Sequence, residues 1–136
     1  MDTYIFPAIF EPSEVGGYCI TFPDLPGCIT EGDTLKESMY MAKDALELYV
    51  YNLEEDGEEI PSPSKPEKLE VDNGSFIVPV EAYLPVVRSE MANKSVKKTL
   101  TIPYWLNKIA EDKSVNFSQI LQASLKDYLG IEDFGK

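Results

Sequence analysis

The fold of the last third of the chain is decided by residues 96–130, VKKTLTIPYWLNKIAEDKSVNFSQILQASLKDYLG. Apolar and polar side chains alternate over residues 97–102, so Leu100 and Ile102 share one face of an extended strand. Pro103 ends that strand and suits the first turn of a helix, which then carries a short apolar stripe. The pattern predicts a strand followed by a short helix.

A second, longer helix is predicted to begin at Asn116. Asn116 and Gln119 form an N-x-x-Q variant of the capping box, which satisfies backbone N–H groups at a helix N-terminus. Apolar residues then recur at helical spacing. Gly130 has the residue type that is favoured just after a helix C-terminus. The predicted order of this unit is therefore strand, short helix and longer helix.

A unit of roughly 35 residues is below the size that sustains its own core, and a lone strand leaves both backbone edges unpaired. A second copy of the unit, related by a two-fold axis, would complete the core and pair one edge of the strand if the two strands run antiparallel across the axis. We therefore predict a homodimer or a higher homo-oligomer. The side chains expected in the dimer core are Leu100, Ile102, Trp105, Ile109, Ile120, Leu121 and Leu125.

The opposite face of such a two-stranded ribbon fits the major groove of B-DNA. Its hydroxyl and ammonium groups can bond base edges or phosphates, and the N-terminus of the second helix offers backbone N–H groups to phosphate. The alternative is that these residues are only solvent-facing. The residues expected to contact double-stranded DNA are Lys97, Lys98, Thr99, Thr101, Asn116, Phe117 and Ser118.

Charge divides the chain of 136 residues at about the same point. Residues 1–92 carry 5 Lys and Arg against 19 Asp and Glu, whereas residues 93–136 carry 7 against 5. A weakly basic unit beside a strongly acidic one favours two binding surfaces, one of them for a polyanion. The acidic surface could meet a basic partner or simply keep the domain in solution. The densest run of acids, a candidate surface for a protein partner, is Glu54, Glu55, Asp56, Glu58 and Glu59.

Composition narrows the possible chemistry. The chain has no histidine, which removes the commonest general base and every Ser-His or Cys-His arrangement. Cys19 and Cys28 are the only cysteines, so we expect free thiols and no metal site. We expect no cofactor. The N-terminus does not resemble a signal peptide and no apolar run approaches the ~20 residues of a membrane span, so a cytoplasmic protein without membrane association is expected.

The first eighty residues alternate between strand and helix signals. Thr34 and Glu37 form a capping box, and apolar residues recur at helical spacing from Leu35 to Leu53, which predicts a helix on one face of a sheet. Pro7 cannot donate a ladder hydrogen bond and is expected to face an unpaired side or a bulge. The strands are predicted from aromatic and β-branched residues at 4–10, 18–22, 28–31 and 76–80.

The resulting order β-β-β-α-β predicts an α+β fold class for the first domain. The mixed composition of residues 83–95 suggests a hinge before the basic unit begins. The predicted domains are an α+β protein-binding domain over 1–82, a hinge over 83–95, a DNA-binding domain over 96–130 and a tail over 131–136.

Two stretches resemble known families. GGYCITFPDLPGCITEGDTLKESMYMAKDAL, residues 16–46, resembles the HicB antitoxin family, for which FPDLPGC followed by GDT is a specific pattern. Residues 96–130 look like a ribbon-helix-helix domain of the Arc/MetJ class. The resemblance implies a degraded ribonuclease-H-like fold at the N-terminus and a HicA-type toxin, a small basic mRNA-cleaving ribonuclease, as partner. It also implies a non-enzymatic antitoxin that blocks the toxin and represses its own operon.

Two other functions stay open at the level of the sequence. Asp24, Glu31 and Asp33 near strand ends, with Asp44 and Glu47 on the helix, could hold Mg²⁺ in a ribonuclease-H-like nuclease. Turn chemistry explains Asp24 and Asp33 without a metal. The chain could also be a one-component transcription regulator whose first domain senses a small molecule, although no motif marks a ligand pocket.

Overall fold

The computed structural model describes residues 1–131 of the chain. These residues divide into two compact units, the first over residues 1–95 and the second from Val96 onward. None of the described helices is long and apolar enough to cross a membrane. The tail expected over 131–136 lies outside the described residues, apart from Ile131.

The first unit is built on a four-stranded antiparallel sheet. Its strands are β1 (Thr3–Pro12), β2 (Tyr18–Thr21), β3 (Ile29–Gly32) and β4 (Phe76–Tyr83). Their order in the sheet is β3-β2-β1-β4, so β1 is paired on both sides. All four strands lie where aromatic and β-branched residues predicted them, and the α+β class is confirmed.

Two prolines share one position of the ladder. Pro7 of β1 stands directly opposite Pro79 of β4. On the other side of β1, β2 pairs only with residues 9–12, so it does not reach Pro7. The missing N–H groups therefore fall on a single rung and cost the sheet little. The expectation that Pro7 faces an unpaired side is confirmed on its β2 side.

A long helix, α1 (Leu35–Glu55), covers one face of the sheet. It begins as predicted, because the Thr34 hydroxyl accepts a hydrogen bond of 3.1 Å from the backbone N–H of Glu37. Alternate residues of β1 point at the helix. The buried apolar core consists of Phe6, Ala8, Phe10, Ile20, Phe22, Leu25, Cys28, Ala42, Leu46, Val50, Val80, Ala82 and Leu84.

The first turn of α1 is rotated relative to the predicted apolar stripe. Leu35 and Met39 are 50% and 43% exposed, whereas Ser38 is fully buried. The cause is a close approach to Gly32 at the end of β3, where an added Cβ would lie 2.6 Å from the Ser38 nitrogen and from its hydroxyl oxygen. Only a small residue fits at position 38, so serine faces the sheet and the larger apolar residues do not.

The segment expected to be a hinge over residues 83–95 is mostly a helix of the first unit. Helix α2 (Leu84–Ala92) follows β4 without a break and packs against α1. Leu84 is buried, and its N–H donates to the Asp2 carbonyl at 2.8 Å. Pro85 lies in the first turn, where proline is tolerated, so it does not disrupt the helix. Residues 84–92 are therefore part of a helix of the first unit and not of a hinge.

The second unit contains two helices, α3 (Tyr104–Asp112) and α4 (Phe117–Leu129). Both were predicted, and the caps of α4 are as expected: the Asn116 side chain accepts from the Gln119 N–H at 3.1 Å, and Gly130 adopts a left-handed φ of 68°. The strand predicted over residues 97–102 is not formed, because no described segment of the single chain pairs with it. An extended segment becomes a strand only beside a neighbour.

Gly32→Ala is expected to lower the free energy of unfolding by about 1–3 kcal/mol, the usual cost of overpacking a core contact. The new methyl would meet the Ser38 backbone, which cannot yield without moving α1. Ser38→Ala is the matched control at the same contact. It removes a hydroxyl that has no hydrogen bond within the described residues, so stability should be unchanged or higher. Urea unfolding followed by circular dichroism measures both, and wild-type stability of Gly32→Ala would contradict the contact.

Candidate functional site

The second unit exposes an apolar face in the single chain. No side chain among residues 96–131 is buried, whereas the first unit buries thirteen apolar residues. Trp105 is 63% exposed, Ile109 49% and Ile120 53%. Monomeric proteins rarely leave so continuous an apolar face in water, and such a face indicates an interface.

This apolar face forms an open groove of about 720 Å³. The extended segment before α3 lines one part of it, and α3 and α4 line the rest. Trp105 and Leu125, also predicted for the dimer core, do not line the groove but are exposed. The predicted core residues that the groove brings together are Leu100, Ile102, Ile109, Ile120 and Leu121.

The side chains predicted to face DNA on residues 97–101 fall into two groups. Lys97, Thr99 and Thr101 are exposed and do not line the groove. Lys98 lines the groove together with Leu100, so it belongs to the apolar side of the segment. The alternation therefore leaves one lysine and two threonines on the face opposite the groove.

The start of α4 presents both backbone N–H groups and polar side chains. The Asn116 carboxamide oxygen is occupied by its cap, and the Ser118 hydroxyl accepts a hydrogen bond of 3.0 Å from Gln122. Phe117 lines the groove. The N–H groups of Phe117 and Ser118 lie in the first turn, where a helix provides no acceptor of its own. These two N–H groups lie beside the Asn116 Nδ2 and Ser118 hydroxyl donors, since the hydrogen bonds of those two side chains described above use only their acceptor atoms.

The candidate acidic surface of the first unit is smaller than the sequence indicates, because Glu54 is already paired. Arg88, the only arginine of the chain, bonds both of its carboxylate oxygens, at 2.6 and 3.0 Å. Arg88 also bonds the Asp2 carboxylate at 2.7 Å and the Met1 carbonyl at 2.8 Å. The exposed acids that remain in the run are Glu55, Asp56, Glu58 and Glu59.

This Arg88 cluster joins three parts of the first unit: the N-terminus, the end of α1 and α2. Its charge-assisted hydrogen bonds hold the pKa of Glu54 below its usual value. Sequence reasoning missed the cluster because its members lie 34 and 86 residues apart. The one signal available was a lone arginine in a strongly acidic segment.

Asp24, a possible metal ligand in the sequence, is used to hold a loop. Its two carboxylate oxygens accept from the Ser64 N–H at 2.9 Å and from the Ser64 hydroxyl at 2.5 Å. These bonds tie the FPDLPG loop to the proline-rich connection that follows α1. Among residues 1–131, no group of three or more His, Cys, Asp or Glu side chains is arranged to hold a metal ion.

The other end of the same loop is fixed from α1. The Tyr49 hydroxyl donates to the Pro26 carbonyl at 2.8 Å. Cys28 is buried beside the loop, and burial raises its pKa to about 11, so it stays a thiol at neutral pH. Cys19 is exposed, and both cysteines are free. The loop is thus a rigid structural feature of the first unit.

Arg88→Ala is expected to lower the melting temperature at pH 7 more than Lys108→Ala, a control that removes only an exposed 4.0 Å pair with Asp112. The pKa of Glu54 is lower in the folded state than in the unfolded state, where it is about 4.3. The ionised Glu54 therefore stabilises the fold at pH values above about 4.3. This stabilisation is lost as the pH falls through the folded-state pKa. The difference between wild type and Arg88→Ala should therefore shrink from pH 6 to pH 3. Thermal melts across that range test it, and a constant difference would contradict the role of Glu54.

Comparisons with known proteins place the chain in a family. The chain matches the model of the HicB-like antitoxins of bacterial toxin–antitoxin systems over residues 6–123. Antitoxin HicB 1 of Photorhabdus laumondii is 38% identical over 100 residues, which are 68% of this chain and 64% of that protein. The match thus spans just under two thirds of the length of this curated relative.

Two solved structures are similar in fold. A toxin–antitoxin complex from Streptococcus pneumoniae contains a chain that matches with a TM-score of 0.60 at 28% identity, covering 93% of this chain and 99% of that one. The N-terminal domain of the Burkholderia pseudomallei antitoxin HicB matches with a TM-score of 0.51 at 26% identity, covering 57% of this chain and 95% of that one. These matches confirm the resemblance to the HicB antitoxin family that residues 16–46 carry.

Proposed function

This chain belongs to the HicB-like antitoxin family of bacterial toxin–antitoxin systems, and we propose that it neutralises a HicA-type toxin through its first unit and represses its own operon through its second. It acts by binding and not by catalysis. The observation that carries the second half of this proposal is the apolar face of residues 96–131, where the single chain buries no side chain.

A second copy of the chain supplies what this unit lacks. Two copies of residues 97–102 paired antiparallel would satisfy the backbone of both segments and form a ribbon. The groove lined by Leu100, Ile102 and the two helices would then be covered by the mate, which turns an exposed face into a shared core. Strand, α3 and α4 in this arrangement make a ribbon-helix-helix dimer.

The ribbon face opposite that core is the proposed DNA-reading surface. Lys97, Thr99 and Thr101 are exposed on it, and the two-fold axis presents each of them twice. Threonine hydroxyls and the lysine ammonium bond base edges in the major groove. The N–H groups of Phe117 and Ser118 at the start of α4 are suited to phosphates that flank the ribbon, where they would fix its register.

The first unit is the proposed toxin-binding part. Residues 1–92 carry 14 more acids than bases, which complements a basic ribonuclease surface. We assign it a degraded ribonuclease-H-like fold that retains the α+β arrangement and not the chemistry. Both oxygens of Asp24 are hydrogen-bonded to Ser64, which supports a structural use of this carboxylate. A toxin–antitoxin complex among the similar structures supports the choice of partner.

Combining Lys97→Ala, Thr99→Ala and Thr101→Ala is expected to weaken operator binding at least about 100-fold, because a dimer loses each base or phosphate contact twice, at roughly 1–3 kcal/mol per specific contact. Fluorescence anisotropy with the chain's own promoter DNA measures the affinity, which should also fall steeply with salt. Lys65→Ala, an exposed lysine of the first unit, is the control. The triple variant should still restore growth of cells that express the neighbouring toxin gene. Undiminished DNA binding would overturn the ribbon assignment, and no growth rescue by wild type would overturn the antitoxin function.

Leu100→Asp is expected to convert the dimer into monomers, because the carboxylate would be buried without a partner in the shared core. Sedimentation velocity reports the change. Val15→Asp is a matched control, since Val15 is a similarly apolar residue that is 96% exposed in the first unit. A Leu100→Asp protein that sediments as wild type would show that this face is not the dimer interface.

A further inference from the structure

The first unit carries a second groove, between α1 and α2. It encloses about 380 Å³. Its walls include apolar side chains that remain in water: Tyr40 is 68% exposed, Leu48 46% and Val86 55%. All of these residues belong to the first unit, so the groove is complete within it.

Charged side chains line the same groove. Asp44, Glu47 and Glu90 line the groove, and Lys43 is the one cation among its lining residues. The Lys43 ammonium is already engaged, because it lies 3.2 Å from the Glu47 carboxylate and donates to the Glu81 carbonyl at 3.0 Å. Lys43 and Glu47 therefore offset each other within the groove.

Two negative charges are left without compensation. Asp44, on α1, and Glu90, on α2, are exposed and form no ion pair with any residue in the described range 1–131. They belong to the two helices that form the groove. The groove thus combines exposed apolar side chains with an unpaired carboxylate from each helix. This combination fits a side chain that has an apolar stem and a cationic end.

We propose that this groove is the docking site for the toxin, which would present a lysine or arginine beside an apolar side chain. The inference rests on the proposed function and names the surface that performs it. Charge argues against the other occupants. A second copy would bring together two surfaces that each carry 14 excess acids over residues 1–92, and a nucleic acid would be repelled in the same way.

The proposal differs from one based on the acidic run after α1. That run is denser in charge, but its acids Glu58 and Glu59 are exposed and line neither of the two grooves described above. Exposed charges accelerate association, whereas charges beside a desolvated contact hold the complex together. The two surfaces therefore make different predictions for the dissociation rate.

The test compares two charge reversals of equal size in the full chain. Asp44→Lys with Glu90→Lys changes the groove, and Glu58→Lys with Glu59→Lys changes the acidic run by the same net charge. Binding is measured by surface plasmon resonance with a purified HicA-type toxin from the same organism. We expect the groove variant to lose at least about 100-fold in affinity, mostly through faster dissociation, and the control to stay within about 5-fold. Val86→Ser, which keeps the charge, should lose about 10-fold.

The alternatives give distinct results. Equal losses in the two charge reversals, or a larger loss in the Glu58 and Glu59 variant, would overturn the groove. Sedimentation without toxin tests a second copy as the occupant. If only the groove variant loses self-association, the groove binds a second copy and the toxin proposal is overturned. Unchanged thermal melts of all three variants exclude misfolding. If wild type itself does not bind the toxin, the proposed function fails and this inference fails with it.

Discussion

The packing of β1 under α1 is the interaction on which the first unit depends. Phe6, Ala8 and Phe10 alternate along β1 and are fully buried against the helix side of the sheet. Because β1 pairs with β4 through residues 3–10 and with β2 through residues 9–12, its position fixes the rest of the sheet. The register with β4 sets Tyr83 opposite Thr3, which brings the start of α2 beside the N-terminus and permits the cluster around Arg88.

The second unit has no equivalent of this internal core. Helix α4 has a side-chain cap at Asn116 and a glycine at its C-terminus, whereas α3 has no side-chain cap, and the apolar faces of both helices stay in water. Helix caps determine where a helix starts and ends, whereas burial supplies most of its stability. Under the proposed function, a unit of this size completes its fold with surface from a second copy of the chain. The same requirement makes dimerisation and DNA recognition inseparable under the proposed function, because one segment carries both faces.

The sequence predicted best what depends on near neighbours in the chain. The strands of the first unit, the cap at Thr34, and both ends of α4 follow from local patterns within a few residues. The family resemblance also rested on a local string, FPDLPGC followed by GDT. Each of these features is determined by conformational preferences of the backbone, which a single stretch of sequence contains.

Features that depend on distant contacts were missed or misplaced. The sequence predicts a hinge where the structure has α2, because the apolar stripe of this helix is short. The helix is stabilised by packing against α1, which a local pattern does not reveal. Ser38 faces the sheet because Gly32 approaches it, and Glu54 is paired because Arg88 comes from another helix. The segment over residues 97–102 has no paired neighbour within the described residues, and under the proposed function a second copy of the chain supplies one. Tertiary distance accounts for the other differences.

The distribution of charge limits how the proposed repressor could bind its operator. Each chain places 14 excess acids in residues 1–92 and only two excess bases in residues 93–136, so a dimer repels DNA at long range. At physiological ionic strength this repulsion fades beyond a Debye length of about 8 Å. Attraction must then come from groups held in direct contact, namely Lys97, the two threonines and the N–H groups of α4, each placed twice by symmetry. A toxin that docks on the first unit with its own positive charge would reduce the opposing field, so both binding events act through the same electrostatic balance.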